Sequence, residues 1–294
     1  MRTRATVAVV SGALALSALA VPASQAAQSG DRVPAPLAGW SWQGGSATAH
    51  TPKAQGFAAK AAEAPVISKT VVNGGKPIIV GTTAAKKVSI AITASHPSGI
   101  ADAATILWIG SDLQDENADD LFWFEQNEDK ASCKAANATT STCTLSITVD
   151  PAWLINTDAT NWKVGALAIA KDDSYVQKDN YTKIRLQRLS KLTVAATPKP
   201  VKKGKTLTVT GKLSRANWDT AKYAGYAGQS VKLQFRKKNS STYTTIKTVK
   251  GSNTGALKTT TTKTTAEGYW RWSFAGTTTT PAVNAAGTLV KIKK

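Results

Sequence analysis

From Pro65 onward the chain is a succession of short runs rich in β-branched residues, each ended by Gly, Pro, Asn, Asp or Ser. No stretch carries the 3.6-residue apolar period that a helix of usable length needs. Such a chain buries apolar surface by pairing strands into sheets and stacking the sheets. Candidate strands in the first half are residues 66–73, 77–81, 87–94, 105–110, 121–125, 142–149, 162–170 and 182–189. In the third of these Val88, Ile90 and Ile92 fall on one side and Ser89, Ala91 and Thr93 on the other, as a strand half-buried in a sheet requires. The second half offers 191–195, 206–213, 230–236, 242–249, 255–262, 269–275 and 287–292. There Val231, Leu233 and Phe235 are expected to face a core, as are Trp270, Trp272 and Phe274. The fold class is therefore all-β, with two tandem β-sandwiches at residues 66–189 and 190–294.

What precedes Pro65 is of a different kind. Two arginines, an apolar run of about 17 residues and the small-residue stretch at 23–27 have the three-part form of a cleavable export signal, too short to span a bilayer as a helix. Cleavage is expected after Ala26 or Ala27. Residues 28–65 are rich in Ala, Gly, Pro and Ser and read as a flexible leader, Trp40 and Trp42 being isolated large side chains within it. No second apolar segment reaches spanning length. The expectation is a secreted protein, extracellular or associated with the cell wall, and monomeric.

The chain has two cysteines, Cys133 and Cys143, and two histidines, His50 and His96. An even, close pair in an oxidising compartment is most simply a disulfide, and no histidine lies near enough in sequence to complete a metal site with it. Nucleophilic catalysis finds no support: there is no Gly-x-Ser-x-Gly and no recognisable triad around either histidine. Lys203-Gly204-Lys205-Thr206 has the ending of a phosphate-binding loop, but its first required glycine is Lys199 and a strand follows where a helix should.

Charge divides the chain unequally. Residues 66–188 carry 12 Lys and Arg against 14 Asp and Glu, whereas residues 189–294 carry 20 against two. In the basic half Lys202, Lys203 and Lys205 precede one strand, while Lys232, Arg236, Lys237 and Lys238 extend along another. Alternate side chains on a strand recur every ~6.5 to 7 Å on one face, a spacing that can follow a charged polymer. The field of such a half concentrates polyanions. Anionic cell-wall polymers, acidic polysaccharide and, without sequence preference, nucleic acid all qualify as partners. The plainer alternative is that the charge serves solubility alone.

Eight of the 18 acids fall between Asp112 and Asp129. Asp115, Asn117, Asp119 and Asp120 have the oxygen spacing that opens a calcium loop, but Asp120 stands where the tight-turn glycine belongs and Gln126 where the closing glutamate belongs. A calcium-stabilised module is thus an alternative reading and a solvated acidic loop the simpler one. The same carboxylates would be the only machinery for a hydrolase, which needs two acids facing each other across a bond. A third alternative is glycan binding by Trp218, Tyr223 and Tyr226, aromatic residues in the Gly- and Ala-rich stretch 217–228.

The runs at 192–195, Gly204 through Gly211, 231–235 and Gly268 through Gly276 resemble successive strands of bacterial immunoglobulin-like domains. Pro97-Ser98-Gly99-Ile100 and Trp162-Lys163-Val164, followed by residues 168–173, resemble a turn and a late strand of another such domain. The whole chain is similar to secreted two-domain proteins of actinobacteria. This resemblance implies two immunoglobulin-like sandwiches and says little of activity, since one sandwich hosts many roles. The expectation is a non-catalytic binding or structural protein without a cofactor, adhering to anionic envelope polymers through its basic half.

Overall fold

The computed structural model describes residues 63–113 and 120–293. The expected export signal, all but the end of the leader, and Asp115, Asn117 and Asp119 lie outside the described residues. The strands are β1 (Val66–Val72), β2 (Ile78–Val80), β3 (Lys86–Ser95), β4 (Ile100–Ile109), β5 (Phe122–Glu125), β6 (Ser132–Ala135), β7 (Thr140–Val149), β8 (Asn161–Ala170), β9 (Tyr175–Arg188), β10 (Ser190–Leu192) and β11 (Ala195–Thr197). They continue as β12 (Val201–Lys202), β13 (Leu207–Asn217), β14 (Lys222–Gly225), β15 (Ser230–Lys237), β16 (Thr244–Lys250), β17 (Ala256–Thr261), β18 (Gly268–Phe274), β19 (Val283–Asn284), β20 (Thr288–Val290) and β21 (Ile292–Lys293). Only short 3-10 turns interrupt them, so the described chain is all-β. Among the described residues no helix is long and apolar enough to cross a membrane.

In the first half a sheet ordered β1-β3-β7-β6 faces one ordered β2-β9-β8-β4-β5. Their inward residues form one core: Val88, Ile90 and Ile92 of β3 and Leu145 and Ile147 of β7 against Leu107 of β4, Trp162 and Val164 of β8 and Leu186 of β9. Trp162 is wholly buried, donates its indole N–H to the Asp158 carbonyl at 2.8 Å and stacks on Phe124 at 5.5 Å between centroids. The expected disulfide is present: Cys133 of β6 and Cys143 of β7 are direct cross-strand partners, and they bond.

In the second half β13 pairs with β10, β11, β14 and β17, while β16-β15-β18-β19, with β20 also on β18, forms the opposite layer. Val231, Leu233, Trp270, Trp272 and Phe274 are buried as their alternation requires, packing with Leu207, Val209, Leu213 and Leu257. The strand expected at 191–195 is two strands. β10 runs against Leu213–Arg215, and β11 against Thr208–Thr210, with a break between them. The break lets the Thr193 carbonyl and the Trp272 ring close on Gly211, a position where any Cβ would collide with both. Strands β6, β12, β14 and β19 are additions to the sequence expectation. The strand expected at 255–262 shortens by a residue at each end, and that expected at 269–275 begins and ends one residue earlier.

The halves meet through side chains of both. Trp218, five per cent exposed, lies in the first half's core, where its indole donates to the Gly81 carbonyl at 2.7 Å. Asn156 ties the same turn down, accepting from the Trp218 backbone at 3.1 Å and donating to Asn217 and Asp219. On the other side Gln187 donates to the Thr277 and Thr278 carbonyls, Arg185 to Thr278, and the backbone of Arg188 to Thr279. The Arg188 guanidinium is buried at this seam and donates to the Ala216 carbonyl at 2.6 Å. Burial, and then the charge of Arg215, push its pKa down to about 10, so it is still charged at neutral pH.

A candidate polyanion-binding face

Strand β15 reads Ser-Val-Lys-Leu-Gln-Phe-Arg-Lys, and its pleat sends Lys232, Gln234 and Arg236 to the side opposite Val231 and Leu233. Antiparallel register with β18 sets Lys232 opposite Ser273, Gln234 opposite Arg271 and Arg236 opposite Tyr269. On the other flank β16 sets Thr248 beside Lys232 and Thr245 beside Gln234. The outer surface of this sheet is thus a grid of cations, hydroxyls and one amide, held by a core containing two fully buried tryptophans, Trp270 and Trp272.

Two guanidinium groups on the grid are stacked on rings. Arg236 lies 4.0 Å from the centroid of Tyr269 and 5.4 Å from that of Tyr243, and Arg271 lies 3.7 Å from Tyr243. Each contact is a cation–π pair, worth about 0.5–1 kcal/mol at an exposed site. Arg271 Nε donates to Gln234 Oε1 at 2.9 Å, and Arg236 Nη1 donates to the Ser240 carbonyl at 2.6 Å. These bonds fix the planes of both groups. Neither has a carboxylate within ion-pair distance among the described residues, where the second half contains a single ion pair, Lys238 with Glu267 at 3.4 Å.

The seven cations expected to bind polyanions are placed as follows. Lys232 and Lys237 are exposed on β15. Arg236 is half-buried and also clamps the turn that follows β15, and Lys238 is shared with Glu267. Lys202, Lys203 and Lys205 are exposed but lie elsewhere, Lys202 as the last residue of β12 and the other two in the turn that leaves it, where the Lys205 backbone donates to the Lys202 carbonyl. Parallel pairing of β12 with β21 sets Lys293 beside Lys202. The sequence reading missed Arg271, Tyr243 and Tyr269. Alternation against Trp270 and Trp272 marks Arg271 and Tyr269 as outward, so that signal was available.

The aromatic residues of the glycan reading are not rings on an open loop. Residues 222–225 form strand β14, paired with β13. Trp218 is buried, Tyr223 is half-buried with Lys191 3.6 Å above its ring, and Tyr226 packs edge-on against Phe274 with Arg215 3.9 Å over it. Their faces are taken because a large ring gains more from burial than from solvent.

Of the calcium set only Asp120 is described, and it accepts from the Ser111 hydroxyl at 3.1 Å. Among the described residues no group of three or more His, Cys, Asp or Glu is arranged to hold a metal ion. Other acids serve the fold. Asp102 accepts from the backbones of Ala103 and Ala131, and Glu128 from the backbone and hydroxyl of Ser146. Burial raises the pKa of Glu125 against a hydrogen bond from Trp123.

Residues 80–168 match the model of a family of unknown function, DUF5707. That span runs from the end of β2 into β8 and does not include the cationic face. No curated protein matches the chain. Among solved structures it is similar to the dimeric latent PorU of Porphyromonas gingivalis, with 13% identity and a TM-score of 0.26, covering 78% of this chain and 20% of that one. It is also similar to Salmonella alpha-2-macroglobulin reacted with methylamine, with 10% identity and a TM-score of 0.29, over 78% and 15% of the two chains. A third is BcpA, the major pilin subunit of Bacillus cereus, with 11% identity and a TM-score of 0.20, over 79% and 67%. The chain thus spans a fifth or less of the first two. Likenesses this slight assign neither fold family nor function.

Proposed function

We propose that this chain is a secreted, non-catalytic binding protein built of two tandem immunoglobulin-like sandwiches, residues 66–189 and 190–294. Its basic half adheres to anionic polymers of the cell envelope. The observation that carries this reading is the outer surface of the β16-β15-β18 layer, where Lys232, Arg236 and Arg271 stand, with Lys237 exposed at the end of β15; among the described residues one acid neighbours them, Glu267, and it is engaged by Lys238. A sheet face of one sign attracts a polyanion along its whole length. Each phosphate or carboxylate it neutralises releases counterions, so binding must weaken steeply as salt is raised.

The geometry also chooses the variants. Arg236 and Lys238 hold the turn after β15, so reversing their charge would confound folding with binding. Lys232, Lys237 and Lys250 are exposed and make no such contact. The triple substitution K232E/K237E/K250E is expected to cut retention on purified cell wall about tenfold or more at about 0.1 M salt, with an unchanged melting curve. Retention equal to the parent, or affinity that stays flat with salt, would refute adhesion by charge.

A further inference from the structure

We infer that Arg236 and Arg271, with Tyr243 and Tyr269, form a preorganised receptor for the phosphodiester groups of a polyol-phosphate chain. This inference rests on the adhesion proposed above and narrows its ligand from any polyanion to one chemistry.

A lysine-rich surface holds anions as point charges and does not distinguish among them. A guanidinium is a planar fork whose paired N–H groups match two oxygens on one phosphorus or carbon, provided the plane is held still. Here both planes are held, each by a tyrosine ring beneath and by a hydrogen bond at one edge. The bonds used are few. Among the described residues Arg271 commits only Nε, and neither terminal nitrogen meets a protein acceptor. Arg236 commits only Nη1, which is shared between the carbonyls of Ser240 and Lys238. The remaining N–H groups are charged donors awaiting an oxyanion.

The surroundings select among oxyanion polymers. A single-stranded nucleic acid binds partly by laying its bases on aromatic faces. Here a guanidinium lies over each tyrosine, so no stacking platform is offered. By register Gln234, with Thr245 on its other flank, lies beside Arg271, and one step along the strand Thr248 and Ser273 flank Lys232. Amide and hydroxyl groups pair with the free hydroxyls of a slender polyol linker. The two arginines come from adjacent strands and are offset by one step of the pleat, so they are placed to meet successive phosphates, as a polymer requires.

The test uses the full chain with three immobilised polymers matched in charge: poly(glycerol phosphate), polygalacturonate and single-stranded DNA. The expected order places poly(glycerol phosphate) about tenfold tighter than the other two. Arg271→Lys keeps the charge but removes the fork, and is expected to lose about tenfold on poly(glycerol phosphate) alone. Its salt dependence and melting temperature should match those of the parent. K232E/K237E should instead weaken all three polymers alike and flatten the salt dependence. If R271K binds poly(glycerol phosphate) as the parent does, or if the three polymers bind equally, the phosphodiester receptor is wrong while adhesion by charge stands. Tightest binding to polygalacturonate or DNA also overturns it, in favour of a carboxylate or nucleic-acid ligand. If K232E/K237E changes nothing on any polymer, the adhesion reading falls with it.

Discussion

Glu128 was one carboxylate of a crowded acidic stretch in the sequence, and the fold gives it a structural task. It receives hydrogen bonds from Ser146 N at 2.7 Å and Ser146 Oγ at 2.5 Å, with Lys87 3.8 Å away. Burial alone would raise its pKa, but the Ser146 bonds and the Lys87 charge outweigh burial and hold it below the usual glutamate range. A carboxyl whose folded pKa is depressed stabilises the native state above its unfolded pKa, and that stability is lost as pH falls through the folded value. Glu128→Gln should therefore melt below the parent at neutral pH. The gap should close as pH is taken from about 6 to about 3, because the parent loses its advantage as the group protonates. Thermal melts of both proteins across that range check it, and a gap independent of pH would show that the ionised form contributes nothing.

At the level of strands, what could be read from the sequence was whatever alternation dictates. β3, β15 and β18 carry period-two patterns with large inward side chains, and they lie where expected with the expected faces buried, Phe235 near the end of β15 only in part. Strands β6 and β14, Ser132–Ala135 and Lys222–Gly225, have neither β-branched runs nor a buried face. Their backbone pairing with β7 and β13 is what makes them strands, and pairing leaves no mark in their own composition. The candidate site divides in the same way. The cations of β15 were evident as charge, whereas Arg271 was missed although its alternation with Trp270 and Trp272 marks it as outward. The stacking of Arg271 on Tyr243 depends on the hairpin turn and the bulge in β16, and sequence alone specifies register poorly when one face is polar. The disulfide belongs to this scale too, since it fastens the edge strand β6 to its neighbour across a closed loop of about ten residues. Cys133→Ser with Cys143→Ser should cost about 2–3 kcal/mol in urea unfolding and raise hydrogen exchange in β6, leaving the rest of the sheet protected. A chain that fails to fold without the bridge would contradict this assignment.

Across the whole chain the two halves differ in charge but share a core residue. Trp218 follows β13 of the basic half, yet its ring completes the apolar core beside Tyr223 and Ala216 under the Gly81 carbonyl of the acidic half. The threonine turn at 277–280 answers from the opposite side by accepting hydrogen bonds from Arg185, Gln187 and Arg188. Neither half can unfold without exposing a large ring or stranding polar groups of the other, so the expected behaviour is one cooperative transition. Trp218→Ala removes the ring at a cost of about 3–5 kcal/mol, most of it charged to the junction and the acidic half. The basic half keeps Trp270, Trp272 and the rest of its own core. Calorimetry of the variant should then resolve two transitions where the parent has one, with the upper transition carrying the fluorescence change of the basic half's tryptophans. Trp218 follows β13, in the layer opposite the β16-β15-β18 face, so the variant should keep the parent's affinity for poly(glycerol phosphate) below the first transition. A single transition shifted down as a unit would mean that the threonine turn and Arg188 suffice to couple the halves without the ring.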